Sequence, residues 1–324
     1  MPARTAATLA LAGVLALVAA PAATAADAPP RTFAFLSHAD GAERQRLAEF
    51  GRCVDVVAPN WYTLERPHRP IASRPPDADV VDLARRAGSE LWPVVNAQLA
   101  GADASLARPR VRARLAQRIA GLARRFSYAG MTLDIEGIDP DLRPAFTDLV
   151  RRTDRRLAKE RRRLAVYVPR RTSARPGYTA APYGWASLSR TADLVLASGY
   201  NEHYAGSPPG PITTTAGFAA MLAYAGTVSR RNVAPTLGAF GYEWPYTGGP
   251  GRLIPATAAE SDPLAALTGV YSDGEVNYLT TSGVVWSETA AGLLARASMA
   301  GDAGFRWLGL FSLGREPRSF WAGC

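Results

Sequence analysis

Short runs of β-type apolar residues recur along the chain, with helical periodicity between them. Eight segments read as buried strands: "TFAFLS", "VDVVAP", "LWPVVNA", "GMTLDIE", "LAVYVP", "ADLVLASGY", "VAPTLGAFGY" and "FRWLGLFSL". Between them, "GAERQRLAEFG", "ADVVDLARRAG", "VRARLAQRIAGLARRF", "DLRPAFTDLVRRTDRRLAKE", "GFAAMLAYAGTVS" and "SETAAGLLARASMAG" repeat apolar positions at three- and four-residue spacing, the pattern of a helix with one buried face. The link after the fifth strand, "RRTSARPGYTAAPYGWASLSRT", is the least helical. Alternation of this kind over roughly 300 residues predicts an α/β fold, a (β/α)8 TIM barrel. One interval breaks the rhythm, between the seventh strand and a helix expected to begin near Ser287. In "GVYSDGEVNYLTTSGVVW" an "SDG" turn separates two β-type runs, which predicts a β-hairpin region inserted after strand 7, at about residues 245–286. Loops after barrel strands build the active-site face, so the insertion is expected to wall one side of a cleft.

The N-terminal stretch "MPARTAATLALAGVLALVAAPAATAADAPP" sets Arg4 before an apolar core and Ala23-Thr24-Ala25 before a polar, proline-containing segment. That is the layout of a secretory signal peptide over residues 1–25, leaving a barrel domain over residues 26–324. A retained signal anchor is the alternative. No later segment approaches the roughly 20 apolar residues of a membrane span. A secreted or cell-wall-associated monomer, off the membrane after cleavage, is therefore expected.

Charge and cysteines narrow the classes. Lys and Arg (37) exceed Asp and Glu (28) by nine, or by eight once Arg4 leaves. Much of the excess lies in "RRTDRRLAKERRRL", Arg151 to Leu164, which reads as the solvated face of a helix, with attraction to an anionic cell-wall polymer as the functional alternative. No recognition motif or interleaved aromatic platform accompanies it, so no nucleic-acid partner is expected. Cys53 and Cys324 form a disulfide candidate, since a closed barrel makes its first and last units neighbours; two buried thiols are the alternative. His38, His68 and His203 are scattered, without zinc-binding spacing, and no metal or cofactor is expected. "TGGPGR" lacks the Lys-Ser/Thr of a phosphate loop and reads as a turn.

The chemistry concentrates in "GMTLDIEGID", Gly130 to Asp139. A strand alternates its side chains, so Thr132, Asp134 and Glu136 share one face while Met131, Leu133 and Ile135 share the other. Two carboxylates at the C-terminal end of a parallel strand stand where such folds place ligands. The alternative is a pair of structural acids held by arginines. Further cleft candidates follow other strands: Asn60 and Trp61 after the second, Asn96 at the third, Asn201, Glu202, His203 and Tyr204 after the sixth, and Glu243 and Trp244 after the seventh. Aromatic faces suit sugar rings and amides suit their hydroxyls, although core packing is an equal reading for any single ring. Trp92 and Trp307, near strand starts, read as core.

With these residues in order, the chain resembles glycoside hydrolase family 18, most closely its bacterial spore-germination and peptidoglycan-hydrolase branch. "GMTLDIEG" resembles that branch's Gly-x-x-x-Asp-x-Glu signature, "SGYNEHYAGSPPGPI" its sixth strand and loop, and "GAFGYEWP" its Gly-Tyr-Asp-Trp segment. "GVVWSETAAGLLARASMAGDAGFRWLGLFSLGREPRSFW" resembles its closing helix, eighth strand and Leu-Gly-x-Glu-x-Pro turn. The resemblance implies a retaining, cofactor-free hydrolase of β-linked N-acetylhexosamine glycans such as peptidoglycan or chitin fragments. It implies that Glu136 protonates the leaving oxygen, that Asp134 orients the attacking acetamido group, and that Tyr200 bonds the acetamido oxygen. Three residues depart from the family pattern: Thr132 stands where many chitinases have an Asp, Asn201 where an Asp commonly follows the tyrosine, and Phe311 where a tryptophan floors the bound sugar. These departures leave a catalytically weakened, lectin-like barrel as the alternative.

Overall fold

In a computed structural model of the chain, the structure describes residues 29–64, 72–73, 76–98 and 105–324. The expected signal peptide, residues 1–25, lies outside the described residues, and so, separately, does His68.

Eight parallel strands form the barrel: Arg31–Leu36, Val56–Pro59 continued by Tyr62–Thr63, Glu90–Leu91 continued by Val94–Gln98, Gly130–Glu136, Arg163–Val168, Leu194–Ser198, Val233–Gly238 and Trp307–Phe311. The second and third strands are each interrupted, and pair in two places, Val56 with Glu90 and Tyr62 with Val95. The first strand meets the eighth, with Phe33 opposite Gly309, so the ring closes. Every barrel strand found in the sequence stands where its pattern put it, within about four residues at its ends.

Strand alternation sorts the side chains into two cores. Phe33, Phe35, Val56, Ala58, Val94, Ala165, Leu194, Leu196 and Ala234 pack inside the barrel. Their odd-even partners, among them Ala34, Val57, Val95, Leu133, Val166, Val195 and Leu310, pack outward against the helices. Gly309 gives the interior room: a Cβ there would stand 2.3 Å from the Thr236 hydroxyl. Helices Gly41–Phe50, Ala78–Ala87, Pro109–Arg125, Arg143–Ala158, Thr215–Val228 and Ala290–Asp302 form the outer layer. Asp40, Asp77, Thr214 and Thr289 accept backbone N–H bonds at four of their N-termini. After the fifth strand only Trp185–Ser189 is α-helical, as the weak periodicity there implies.

The insertion is larger than the predicted hairpin. It is a five-stranded antiparallel sheet, in the order Arg252–Pro255, Phe240–Pro245, Gly283–Glu288, Glu275–Leu279, Val270–Ser272, with helices Ala256–Ser261 and Pro263–Thr268. The hairpin at "SDG" is present, Asp273 and Gly274 both having positive φ as a two-residue turn requires. The insertion starts at Phe240 rather than near residue 245, because the apolar run read as one seventh strand divides at Ala239 between the barrel and this second sheet. The last helix likewise starts at Ala290: Ser287 and Glu288 end a strand, and Thr289 caps the helix.

Cys53 and Cys324 are joined by a disulfide with a Cα–Cα distance of 6.0 Å, tying the chain end to the turn after the first helix. Closing a loop of this length contributes about 2–5 kcal/mol. The basic helix Arg143–Ala158 turns Arg151 and Arg155 to solvent, while Arg112, Arg151 and Arg152 converge on Asp148. Trp92 is buried as expected; Trp307 is only half-buried, with the Arg31 guanidinium 4.2 Å above its ring. Among the described residues no helix is long and apolar enough to cross a membrane, and no three His, Cys, Asp or Glu side chains form a metal-sized cluster.

Candidate active site

The fourth strand carries the site. Met131, Leu133 and Ile135 are buried in the outer core, which fixes the register and turns Thr132, Asp134 and Glu136 into the barrel. These three differ in depth. Thr132 is fully buried and donates its hydroxyl to the Trp92 carbonyl at 2.9 Å, so it braces the strand below the site and does not reach substrate. Asp134 stands one layer higher, and its Oδ1 is buried with no hydrogen-bond partner. Glu136 ends the strand at the mouth, where Gly137, with a φ of 66°, turns the chain away. Gln98 lies directly opposite Glu136 in the strand register and donates its Nε2–H to Glu136 Oε1 at 2.9 Å.

The structural-acid alternative requires cations, and among the described residues neither carboxylate has an ion pair. Burial, then the charge of Glu136, pushes Asp134 up to about 8. Burial also raises Glu136, against the opposing effect of the Gln98 hydrogen bond. Each group is thus shifted toward holding a proton near neutral pH.

Above the pair opens a cleft of about 740 Å³. Glu136 and Gln98 line it together with Tyr167, Ser198, Tyr200, Asn201, Arg170 and Tyr242, and Tyr178 and Tyr204 stand at its rim with most of one face exposed. The Tyr200 ring packs on Phe240 and Phe311 at centroid distances of 5.3 and 5.9 Å, and its hydroxyl bonds that of Tyr167. Burial raises both tyrosines, so they stay protonated and can donate. Asn201 has a φ of 65°, a left-handed conformation that Asn tolerates better than most residues, and its Oδ1 lies 3.5 Å from the Tyr242 hydroxyl. Phe311 sits beneath, among Phe35, Tyr200 and Phe240.

Several expected cleft residues do other work. Trp61 packs into the outer core against Tyr128, 6.0 Å between rings, because the second strand turns it away from the barrel axis. Asn60 and Asn96 bond each other at 2.8 Å, beside the cleft but not among its lining residues. Glu202 accepts from Arg170 and from the Thr214 backbone and hydroxyl, so it clamps the loops after the fifth and sixth strands. His203 Nδ1 is 2.9 Å from the Pro208 carbonyl and folds its own loop. Glu243 and Trp244 belong to the insertion sheet: Glu243 is held by Arg252, Thr280 and Ser282, and Trp244 is buried behind Tyr242.

Gln98, Tyr167, Tyr178 and Tyr242 enter the cleft without having been foreseen. Alternation could have found the first two. Val94 faces inward, which sends Asn96 and Gln98 the same way; Ala165 likewise announces Tyr167.

No protein-family model matches the chain. The uncharacterized glycosylase YvbX of Bacillus subtilis is 23% identical over 305 residues, spanning 87% of this chain and 87% of its own. A chitinase from Chromobacterium violaceum superposes with a TM-score of 0.79 at 18% identity, over 90% of this chain and 97% of its own. The spore cortex-lytic enzyme SleL of Bacillus cereus superposes with a TM-score of 0.78 at 14% identity, over 91% of this chain and 73% of its own. At such identities the solved structures establish the barrel fold. In fold, in motif order and in its sequence relatives, the chain resembles the spore-germination and peptidoglycan-hydrolase branch of glycoside hydrolase family 18.

Proposed function

We propose that the protein is a secreted glycoside hydrolase that cleaves β-linked N-acetylhexosamine glycans, peptidoglycan or chitin fragments, with retention and by substrate assistance. The observation that carries this reading is a pair of half-buried carboxyls on one strand face, without an ion pair among the described residues, of which Glu136 lines the cleft. The relatives named glycosylase, chitinase and cortex-lytic enzyme support the hydrolase class.

Glu136, raised by burial, holds a proton and passes it to the glycosidic oxygen as the bond to the anomeric carbon breaks. The substrate's acetamido oxygen closes on that carbon, giving a cyclic cation. In its ionised form, which a neighbouring positive charge favours, Asp134 holds the acetamido N–H and offsets the charge of the cyclic cation. Tyr200 and Tyr167 stay protonated on the cleft wall and donate to the acetamido oxygen and neighbouring hydroxyls. Water, losing its proton to the Glu136 carboxylate, then opens the ring with net retention. This scheme is one of the exceptions to the two-carboxylate pattern.

Digestion of purified peptidoglycan and of chitooligosaccharides, with mass spectrometry of the products, tests the reading. New reducing ends on acetamido sugars are expected. Cleavage only of glycans lacking acetamido groups would replace the mechanism, and saturable binding with no cleavage would leave a carbohydrate-binding barrel. Export is tested separately, by N-terminal sequencing of the mature protein for a start at Ala26.

A further inference from the structure

The substrate-assisted reading leaves one question that geometry addresses: which oxygen of Glu136 carries the proton. A general acid works through one oxygen, the one aimed at the leaving group, and a proton on the other is misplaced. Among the described residues, Glu136 receives a single hydrogen bond, from Gln98 Nε2 to Oε1 at 2.9 Å. The donor is fixed by the fold. Strand three and strand four pair with Gln98 opposite Glu136, so both side chains leave neighbouring backbones on the same face of the barrel.

Resting on that reading, we infer that Gln98 is a positioning residue: it occupies Oε1 as an acceptor and so leaves the transferable proton on Oε2. A protonated carboxyl has one oxygen that accepts and one that donates. An amide N–H on Oε1 makes Oε1 the accepting oxygen.

The choice of a neutral amide is also informative. A Lys or Arg at this place would hold Glu136 ionised and spoil it as an acid. Gln98 fixes orientation while lowering the proton affinity only in part, leaving burial dominant. The other groups facing Glu136 do not duplicate this role. Asp134 on the same strand, Tyr167 from the fifth, Tyr183 before the sixth, Tyr200 after it and Tyr242 of the insertion surround the carboxyl but give it no hydrogen bond, and Arg170 on the cleft wall is committed to Glu202. Glu136 sits between a donor on one oxygen and the open cleft.

Two variants of the full mature chain test the inference, after circular dichroism confirms folding. Gln98→Met keeps length and removes the donor; Gln98→Glu replaces it with a second acid. With chitooligosaccharides, Gln98→Met should lower kcat by about tenfold, KM changing much less, as expected for a misplaced reacting group. The alkaline limb of kcat/KM, which follows deprotonation of the acid, should move upward in Gln98→Met and further in Gln98→Glu. Aryl glycosides with good leaving groups should be nearly unaffected. Infrared titration of the Glu136 carboxyl band, assigned by its loss in Glu136→Gln, reads the same shift without any turnover. It therefore separates this inference from the functional reading. A folded Gln98→Met protein with an unmoved carboxyl titration overturns the assignment, and so does a rise in KM alone, which would make Gln98 a substrate contact. A wild-type chain that cleaves no acetamido glycan, with the carboxyl titration still moved in Gln98→Met, would overturn the functional reading and leave the positioning contact standing.

Discussion

Where the helix Ala290–Asp302 meets the insertion, Glu275 and Glu288 are buried around the Arg296 guanidinium; in the barrel mouth, Asp134 and Glu136 are half-buried with no ion pair among the described residues. The first pair is gathered on a cation, although Glu288 Oε1 has no hydrogen-bond partner among the described residues. Glu288 Oε2 accepts from Arg296 at 2.8 Å, and Glu275 accepts the backbone N–H groups of Ile212 and Thr213. Arg296 reaches on to the carbonyls of Thr213 and Asp273, so one cation fastens the insertion, the loop after the sixth strand and the last helix together. Among the described residues the second pair has one amide contact and no cation, and Asp134 Oδ1 is likewise without a partner. Both pairs are costly to bury. In the first a cation offsets part of the cost, burial still raising both acids, and the acids are structural. In the second no cation offsets it among the described residues, and Glu136 faces an open cleft.

The largest expected effect tests the compensated pair. Arg296→Met removes the cation and leaves two acids in an apolar junction, a change that costs about 3–5 kcal/mol. Urea unfolding should show the loss. In the same assay Asp134→Asn and Glu136→Gln should leave the midpoint unchanged or raise it, because they remove acids that folding shifts toward the protonated form with no cation to offset the cost. If Arg296→Met were as stable as wild type, or if both mouth variants were strongly destabilised, the two pairs would not differ as described.

The next effect is on turnover. Glu136→Gln keeps shape and removes the proton, so hydrolysis of chitooligosaccharides should fall by at least about 10²-fold. Activated aryl glycosides should be partly spared. Asp134→Asn weakens support for the acetamido nucleophile, so even activated substrates should react slowly. Steady-state rates on both substrate types check the split; equal losses of the two variants on aryl glycosides would erase the separate roles.

These contrasts also show what the sequence can reveal. Period-two alternation exposed the barrel strands and the shared face of Thr132, Asp134 and Glu136, because burial of Met131, Leu133 and Ile135 dictates it. The same signal was available for Gln98 and Tyr167 and needed only one more inward step along each strand. Residues beyond strand ends were less legible. Trp61, Glu202 and His203 were placed by proximity to a strand, and their side chains answer to partners distant in sequence or to local turns, such as Tyr128, Arg170 and the Pro208 carbonyl. The sheet switch at Ala239 was hidden for a related reason: an apolar β run does not state which strand it will pair with.

A smaller effect appears in the pH dependence of stability. Burial pushes Glu275 up to about 7, whereas an unfolded Glu ionises near 4.3. Between those values the unfolded chain gives up its proton while the folded chain keeps it, so stability falls as pH rises through this window and levels above it. Asp134 acts in the same direction up to about 8. Comparing urea midpoints at pH 5 and pH 8, Glu275→Gln should flatten the fall below neutrality and Asp134→Asn the part nearer 8. An unchanged slope in both variants would contradict the assigned shifts.

The smallest effect is expected at Glu243, which the sequence offered as a sugar contact and the fold turned into a fastener. Its Oε1 accepts from the hydroxyls of Thr280 and Ser282, and its Oε2 meets Arg252, a residue with 72% of its side chain exposed. These contacts, led by Ser282, hold it below the ordinary carboxylate range, the opposite of Asp134 and Glu136. A group kept ionised and fully bonded has no proton to give and no acceptor to spare. Glu243→Gln retains an oxygen for the two hydroxyls and loses only the exposed ion pair, worth about 0–1 kcal/mol. Steady-state rates on chitooligosaccharides should therefore stay close to wild type, with a small drop in the urea midpoint. A loss of turnover approaching that of Glu136→Gln would mean that the partners holding Glu243 ionised do not keep it out of the chemistry.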